Sequence, residues 1–171
     1  MYRAMNLLRS WCGDKEILGC GVPVMPAFGL VDYCRIGCDV GLDWDDKWYM
    51  RLFHRERVST RQAINNTLFR RSLNGRAYGS DPDVFFLRDE NCALTDSQKH
   101  TLATVDALLG NVFLTSDMPS HYTEKQRAEY RRLRTLFEKA EDVEVRTKNG
   151  QITIRYSLDG MRQEVILAFN D

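Results

Sequence analysis

The chain has 171 residues, which is enough for one compact domain of ordinary size. Hydrophobic residues make up 43% of it, and three Trp, seven Tyr and eight Phe favour a packed core over a disordered tail. The formal net charge is zero, which gives no general attraction to nucleic acid or to an anionic membrane, and no apolar run approaches the roughly 20 residues that span a bilayer.

The N-terminus lacks the basic, apolar and small-residue order of a signal peptide, so we expect a cytoplasmic protein. Its cysteine content fits a reducing compartment, because an odd number without paired spacing indicates no disulfide framework. A zinc site is the alternative, but no Cys-x2-Cys pair is present, and small buried thiols explain the same residues. The five are Cys12, Cys20, Cys34, Cys38 and Cys92.

Two other groups of residues are predicted to lie on the surface. An arginine cluster lacks the aromatic residues on which bases stack, so it indicates a solvated helix face rather than a nucleic-acid site. The three histidines share no spacing that indicates a metal site. The arginines are Arg55, Arg57, Arg61, Arg70 and Arg71, and the histidines are His54, His100 and His121.

The first half of the chain begins with apolar residues at helical spacing between Met5 and Trp11, and Gly13 is placed to end that helix. A short buried strand is predicted over 16–20, a loop over 22–29, and a strand over 30–36. A long helix follows from about Ser59 to Leu73.

The second half continues the alternation of strands and helices. A strand region over 77–87 is interrupted at 80–83, a helix begins at Thr95 or Asp96, a strand covers 111–115, and Thr123 caps a charged helix that runs to about residue 140. Such alternation predicts parallel β/α units rather than a sandwich. From Val143 onward, three β runs separated by Asn-Gly and Asp-Gly predict an antiparallel meander with hairpin turns.

The segment 34–39 is the most informative part of the sequence. Gly37 breaks a buried strand, so that Arg35 and Asp39 are predicted to lie together at the strand's far end. An ordinary ion pair is one explanation of these two residues. The other is a site in which Asp39 acts as a catalytic acid.

Segment 34–39, together with 18–23 upstream and 80–83 downstream, resembles the melibiase-type α-galactosidases, a microbial family of retaining glycoside hydrolases. The resemblance covers nearly the whole chain and implies a (β/α)8 barrel with two catalytic carboxylates. A complete barrel needs about 250 residues. We therefore expect residues 1–140 to form roughly the last four strands of a partial (β/α)8 barrel, and residues 141–171 to begin a C-terminal β domain.

The resemblance also implies roles for individual residues. Asp39 matches the general acid/base, Arg35 matches an arginine that contacts sugar hydroxyls, and Cys20 with Gly21 matches the pocket lining. The family nucleophile lies in a Lys-x-Asp segment on an earlier strand, and the chain contains no Lys-aromatic-Asp triplet.

Four further residues are less determined by the sequence. If a strand precedes Asp81 and Asp83, both carboxylates lie at the catalytic rim, as the resemblance favours; if the strand follows them, as the pattern alone favours, they lie at the opposite end. A turn held by carboxylate hydrogen bonds is a further explanation. Trp44, like Trp48, either stacks on sugar or covers the barrel mouth.

The resemblance implies hydrolysis of terminal α-linked galactose from oligosaccharides, without cofactor or metal, by a homo-oligomeric full-length enzyme. We expect this chain to carry the acid/base but not the nucleophile, and therefore to be inactive alone. An α-N-acetylgalactosaminidase, in which Gly21 makes room near the sugar 2-position, is one alternative. A noncatalytic or truncated β/α module is the other.

Overall fold

The computed structural model describes residues 1–45, 48–53 and 58–169. Of the residues discussed above, His54, Arg55 and Arg57 lie outside the described ranges. The described chain is a mixed α/β structure with three small sheets and five α-helices.

Four of the five described helices lie where the sequence predicts them, whereas the short helix at Met50–Phe53 was not predicted. Thr95 and Thr123 each cap a helix through a capping box, in which the threonine side chain accepts from the backbone three residues later and a glutamine side chain binds back. Gly13, with φ of 57°, ends the first helix as predicted. The helices are α1 Tyr2–Cys12, α2 Met50–Phe53, α3 Thr60–Arg70, α4 Asp96–Leu109 and α5 Glu124–Lys139.

The first five strands are parallel and shorter than predicted. They are β1 Leu18–Gly19, β2 Tyr33–Arg35, β3 Gly79–Asp81, β4 Val84–Phe85 and β5 Leu114–Thr115. One sheet has the order β1-β2-β3, with Tyr33 of β2 opposite Leu18 of β1 and Gly79 of β3. A second sheet pairs β4 with β5. The loop predicted over 22–29 contains a short 3-10 turn, Met25–Ala27.

The last three strands form an antiparallel sheet in chain order, β6 Glu141–Lys148, β7 Gln151–Leu158 and β8 Met161–Ala168. Both hairpin turns predicted from the sequence are present. Asn149 and Asp159 have φ near 50°, and the glycine after each has φ above 70°. Two successive residues with positive φ are what a two-residue turn between twisted strands requires.

The larger apolar core runs through both the helical part and the antiparallel sheet. Ile152, Ile154 and Leu167 from the sheet are buried in the same cluster as Leu102 of α4 and Leu133 of α5. The sheet therefore covers the helices with its apolar face. A smaller cluster surrounds β2 and includes Val31, Cys34 and Ile36.

A few large apolar side chains are exposed near the start of the chain, including Trp11 on α1 and Leu18 on β1. In the described residues, β1 pairs only with β2 and β5 only with β4. Within the described ranges, no helix combines the length and the apolar composition needed to cross a membrane.

Candidate active site at the ends of the parallel strands

Arg35 is the last residue of β2, and its register partner on β3 is Asp81. Side chains at equivalent register in parallel strands lie on the same face of the sheet, so the guanidinium and the carboxylate meet directly. The strand ends therefore bring together charges that are 46 residues apart in the chain.

Three carboxylates surround Arg35. Its Nε donates to Asp81 Oδ2 at 2.9 Å, and its Nη1 lies 2.8 Å from Asp83 Oδ1 and 3.4 Å from Asp39 Oδ1. The side chain of Asp81 is fully buried, whereas that of Asp39 is 81% exposed. Arg35 is therefore tightly bound by Asp81 and Asp83 and only loosely by Asp39.

Burial and neighbouring charges together shift the pKa values of Arg35 and Asp83. Burial lowers the pKa of Arg35, but the hydrogen bond to Asp81 and the charges of Asp81 and Asp83 more than compensate, so the pKa is raised. For Asp83, burial raises the pKa, and the hydrogen bond from Val40 and the charge of Arg35 oppose that effect only in part. A fully ionised cluster would hold three negative charges against one positive charge.

Strands lie on both sides of Pro82 and Asp83, within the interrupted strand region predicted over 77–87, but β3 extends into the predicted interruption. Asp81 ends β3 at the same carboxyl edge as Arg35, and Val84 begins β4 after only two intervening residues. The following strand, which the pattern favours, and the preceding strand, which the resemblance favours, are therefore both present. A pleat pattern cannot detect β3, because the three residues of this strand, Gly79–Asp81, are all buried and include no residue of high β propensity.

The loop after β2 is fixed by α3. Arg70 donates from Nη1 to the carbonyl oxygen of Ile36. A Cβ atom at Gly37 would lie 2.7 Å from the side-chain nitrogen of Asn66, so only glycine fits without displacing that side chain. Asp39 thus lies on an exposed loop with a closely packed base.

The other predicted pocket residues lie directly after β1 or in the segment that follows Asp39 in the chain. Cys20 is exposed and follows β1, and Gly21 has φ of 70° with open space where a Cβ would be. Trp44 packs edge-on against Phe169 at a ring distance of 6.0 Å. Trp48 is 73% exposed.

A second group of charges lies at the carboxyl ends of β4 and β5. Asp117 accepts from the backbone nitrogens of Leu87 (2.5 Å) and Arg88 (3.1 Å), from Arg88 Nη1 (2.7 Å) and from the hydroxyl of Tyr122 (2.8 Å). The helix that follows, α5, is capped by Thr123 rather than by Asp117.

Asp106 on α4 is a charged residue that the sequence did not single out. It is 2% exposed, and neither carboxylate oxygen has a hydrogen-bond partner among the described residues. Burial raises its pKa well above the usual value, and the charges of Asp83 and Asp81 act in the same direction. Its position within the apolar stripe of α4 gave no signal of a site.

A groove on the surface lies away from the ends of β2 and β3. A groove of about 630 Å³ between α4 and α5 is lined by His100, Glu129 and Lys125 among others, and contains none of Arg35, Asp39 and Asp83.

The histidines and cysteines show no arrangement for binding a metal in the described residues. His100 binds Glu129 at 3.0 Å and His121 is exposed. None of the five cysteines forms a disulfide. Across the ranges that the structure covers, no group of three or more His, Cys, Asp or Glu residues is arranged to hold a metal ion.

No protein-family model matches the chain. Among solved structures, an α-galactosidase from Thermus thermophilus, TtGalA, in complex with p-nitrophenyl α-D-galactopyranoside is 27% identical, with a TM-score of 0.70 over 99% of this chain and 33% of that one. The same enzyme in complex with stachyose is also 27% identical, with a TM-score of 0.69 over 78% of this chain and 29% of that one.

The chain therefore spans about a third of the length of the solved structures that it matches. Its fold is similar to that of part of an α-galactosidase, which supports descent from a glycoside hydrolase. At 27% identity, substrate and catalytic residues have to be inferred from the side chains at the strand ends, because a shared fold does not determine them.

Proposed function

We propose that the chain is part of a retaining α-galactosidase that releases terminal α-linked galactose from oligosaccharides. The observation that carries this proposal is the position of Arg35 and Asp39 at the carboxyl end of a parallel strand. Catalytic residues of β/α barrels lie at that edge of the sheet. The similarity to an α-galactosidase over nearly the whole chain supports the same interpretation.

In this proposal, residues 1–140 supply roughly the last four strands of a (β/α)8 barrel. The four strand positions are β1, β2, β3 with β4, and β5. The parallel pairing of β1, β2 and β3, and of β4 with β5, supports this arrangement. Residues 141–171 would begin a C-terminal β domain, to which the antiparallel strands within Glu141–Ala168 belong.

Asp39 is the proposed acid/base. Cleavage with retention requires one carboxylate to bond to the anomeric carbon while another protonates the departing glycosidic oxygen. Protonated Asp39 would give its proton to that oxygen as the carbon–oxygen bond breaks, and its carboxylate would then take a proton from the water that releases the sugar. The nucleophile would come from a Lys-x-Asp strand outside this chain.

Arg35 is the proposed contact to the sugar hydroxyls. The three carboxylates bind its Nε and Nη1, which leaves Nη2 outside those contacts. Anchoring by Asp81 and Asp83 fixes the guanidinium plane, and a fixed donor loses little rotamer freedom on binding sugar. Cys20, Gly21 and Trp44 complete the proposed pocket, and Asp83, which the resemblance offers as a substrate contact, supports that pocket through Arg35.

The first test uses the purified 171-residue chain with p-nitrophenyl α-galactopyranoside. We expect no release of nitrophenol, because the proposed chemistry needs a second carboxylate that this chain does not supply. Measurable turnover by the chain alone would refute the fragment interpretation and show that it contains a complete site.

The second test is a chimera in which this chain replaces the aligned third of the Thermus thermophilus enzyme. We expect hydrolysis of raffinose-type substrates, and we expect Asp39→Asn to lower kcat by roughly 10²–10⁴-fold through loss of general acid catalysis. Nitrophenyl substrates, whose leaving group needs little protonation, should be less affected in the first chemical step, and added azide should yield α-galactosyl azide.

Asp45→Asn is the matched control, because Asp45 lies in the same loop region and pairs with Arg61 rather than with Arg35. We expect this variant to keep the chimera's activity. A chimera with native-like circular dichroism and melting but no activity, or an Asp39→Asn variant as active as its parent, would contradict the proposal.

An α-N-acetylgalactosaminidase is the second candidate, and the open space beside Gly21 favours it. A larger substituent at the sugar 2-position needs such room. The ratio of kcat/KM for the two p-nitrophenyl glycosides in the chimera separates the candidates, and Gly21→Ala should lower turnover of the N-acetyl substrate selectively.

The remaining expectations are proposals about the parent enzyme and its setting, namely a cytoplasmic homo-oligomer. A noncatalytic module would instead behave as an autonomous monomer. Sedimentation of the isolated chain distinguishes these cases: we expect self-association of a barrel fragment, and a monomer with a cooperative melt would favour the module.

A further inference from the structure

Asp83 has an unusual backbone conformation. Its φ is 93°, a region that residues with a side chain rarely adopt, and it lies between the end of β3 and the start of β4. A non-glycine residue persists there only when its surroundings hold it. The contacts of Asp83 therefore indicate what the conformation achieves.

Both carboxylate oxygens of Asp83 are bound by groups of the loop and strand that carry the proposed acid/base. Oδ1 lies 2.8 Å from Arg35 Nη1, and Oδ2 accepts from the backbone nitrogen of Val40 at 2.7 Å. Val40 is the residue after Asp39. Asp83 therefore connects the β3–β4 link to the loop that carries Asp39.

The backbone of Asp83 is also fixed. Its nitrogen donates to Asp81 Oδ1 at 2.9 Å, and the other oxygen of Asp81 accepts from Arg35 Nε. The contacts form a closed cycle through Arg35, Asp81 and Asp83, with Val40 attached to it. A closed cycle of charge-assisted hydrogen bonds restrains the loop more than any single contact would.

We propose that Asp83 is a positioning residue, which holds the loop after β2 so that the carboxylate of Asp39 stays beside Arg35. Only the role of Asp39 in this statement rests on the proposed function. Asp83 is 7% exposed and uses both oxygens for protein groups, so in this structure it supports the pocket rather than facing a sugar.

The test measures backbone amide exchange and amide proton shifts by NMR in the full 171-residue chain. Asp83→Ala removes the acceptor of the Val40 amide, and we expect exchange at Val40 to accelerate by about tenfold or more relative to the rest of the chain. Asp83→Asn keeps an oxygen acceptor, and we expect it to restore part of the protection.

A pH titration supplies a readout that a general loss of stability would not change. In the unsubstituted chain, the Val40 amide proton should shift as Asp83 becomes protonated, above the ordinary aspartate range because burial raises the pKa of Asp83. The charges that act on Asp83 are those of Arg35, Asp39 and Asp81, and Asp106 interacts with it from α4. In Asp83→Asn the inflection should disappear.

Asp117→Asn is the matched control, since Asp117 also accepts from backbone amides at strand ends. It should change the amide signals of Leu87 and Arg88 and leave that of Val40 as it is. Unchanged exchange at Val40 in Asp83→Ala, or equal acceleration throughout the chain, would overturn the positioning role. Because no sugar is used, either result leaves the proposed galactosidase function standing.

Discussion

The carboxyl ends of the two parallel sheets use arginine and aspartate in opposite proportions. At β4 and β5, one carboxylate, that of Asp117, accepts from three residues that supply four donor groups. At β2 and β3, one guanidinium, that of Arg35, faces three carboxylates. The first arrangement satisfies its acid completely, whereas the second carries an excess of negative charge.

This difference separates a structural contact from a candidate site. A fully satisfied carboxylate stabilises the loops around it and has no capacity left for a ligand. Like charges held together are costly, and proteins concentrate such arrangements at functional sites. The comparison therefore favours the strand ends around Arg35 as the candidate functional site, although both pairs of strand ends contain arginine and aspartate.

The largest effect is expected for Arg35→Met. Removing the guanidinium leaves Asp81 and Asp83 buried without their cation, so we expect the free energy of unfolding at neutral pH to fall by about 3–5 kcal/mol. Urea denaturation measures it, and Arg134→Met, which breaks an exposed pair with Glu138, is the control. A loss no larger than that of the control would contradict the electrostatic interpretation.

Asp117→Ala should have the next largest effect. It leaves the amides of Leu87 and Arg88 and the hydroxyl of Tyr122 without their acceptor, which corresponds to a loss of about 2–4 kcal/mol in the free energy of unfolding. In the chimera described above, the same substitution should change stability and leave kcat on galactosides near that of the parent. Loss of kcat in a stably folded variant would remove the distinction between the two strand ends.

Asp106→Asn should stabilise the chain as pH rises. The folded pKa of Asp106 is raised above its ordinary value of 3.8, so its contribution is complete below that pH and is lost as pH rises through the folded pKa. The difference in free energy of unfolding between variant and parent should grow by up to about 1.4 kcal/mol per pH unit in that window. Denaturation at several pH values measures it, and a difference independent of pH would show that Asp106 is ionised in the folded state.

Glu129→Gln should show the opposite dependence on pH with a smaller size. Hydrogen bonds from Arg132 and His100 lower the pKa of Glu129 to about 2, so its contribution is present above 4.5 and is lost as pH falls towards 2. Because the group is partly exposed, we expect a cost of about 1 kcal/mol at neutral pH. Equal cost at pH 2 and pH 7 would show that packing, not charge, is responsible.

Local patterns predicted the elements well where the pattern is strong. The capping threonines and both hairpin turns are where the sequence indicates them, because each depends on residues within a few positions. The strand region predicted over 77–87 has Ser80 and Asp81 in its interruption, whereas the structure pairs Gly79–Asp81 with β2 as a strand. Tertiary contacts determine such short parallel strands, and local propensity does not.

The candidate site divides in the same way. One strand and the glycine that ends it are enough to predict that Arg35 and Asp39 lie together, and the structure places Arg35 Nη1 3.4 Å from Asp39 Oδ1. The cycle through Arg35, Asp81 and Asp83 joins segments about 40 residues apart. Asp106 belongs to a helix whose spacing indicates only a core face. Pairing across such distances is a property of the fold, which the spacing of residues in one segment cannot report.

In the part of the chain that the structure describes, β1 and β5 each pair with one neighbouring strand, and the unpaired edge of each affects how the protein behaves in solution. Backbone groups along a strand edge bind other extended peptides, and association between two copies speeds up with the square of their concentration. Dilute samples should stay clear for longer than concentrated ones, and light scattering over time would show the difference. A storage limit of this kind would follow from two strands of two residues each.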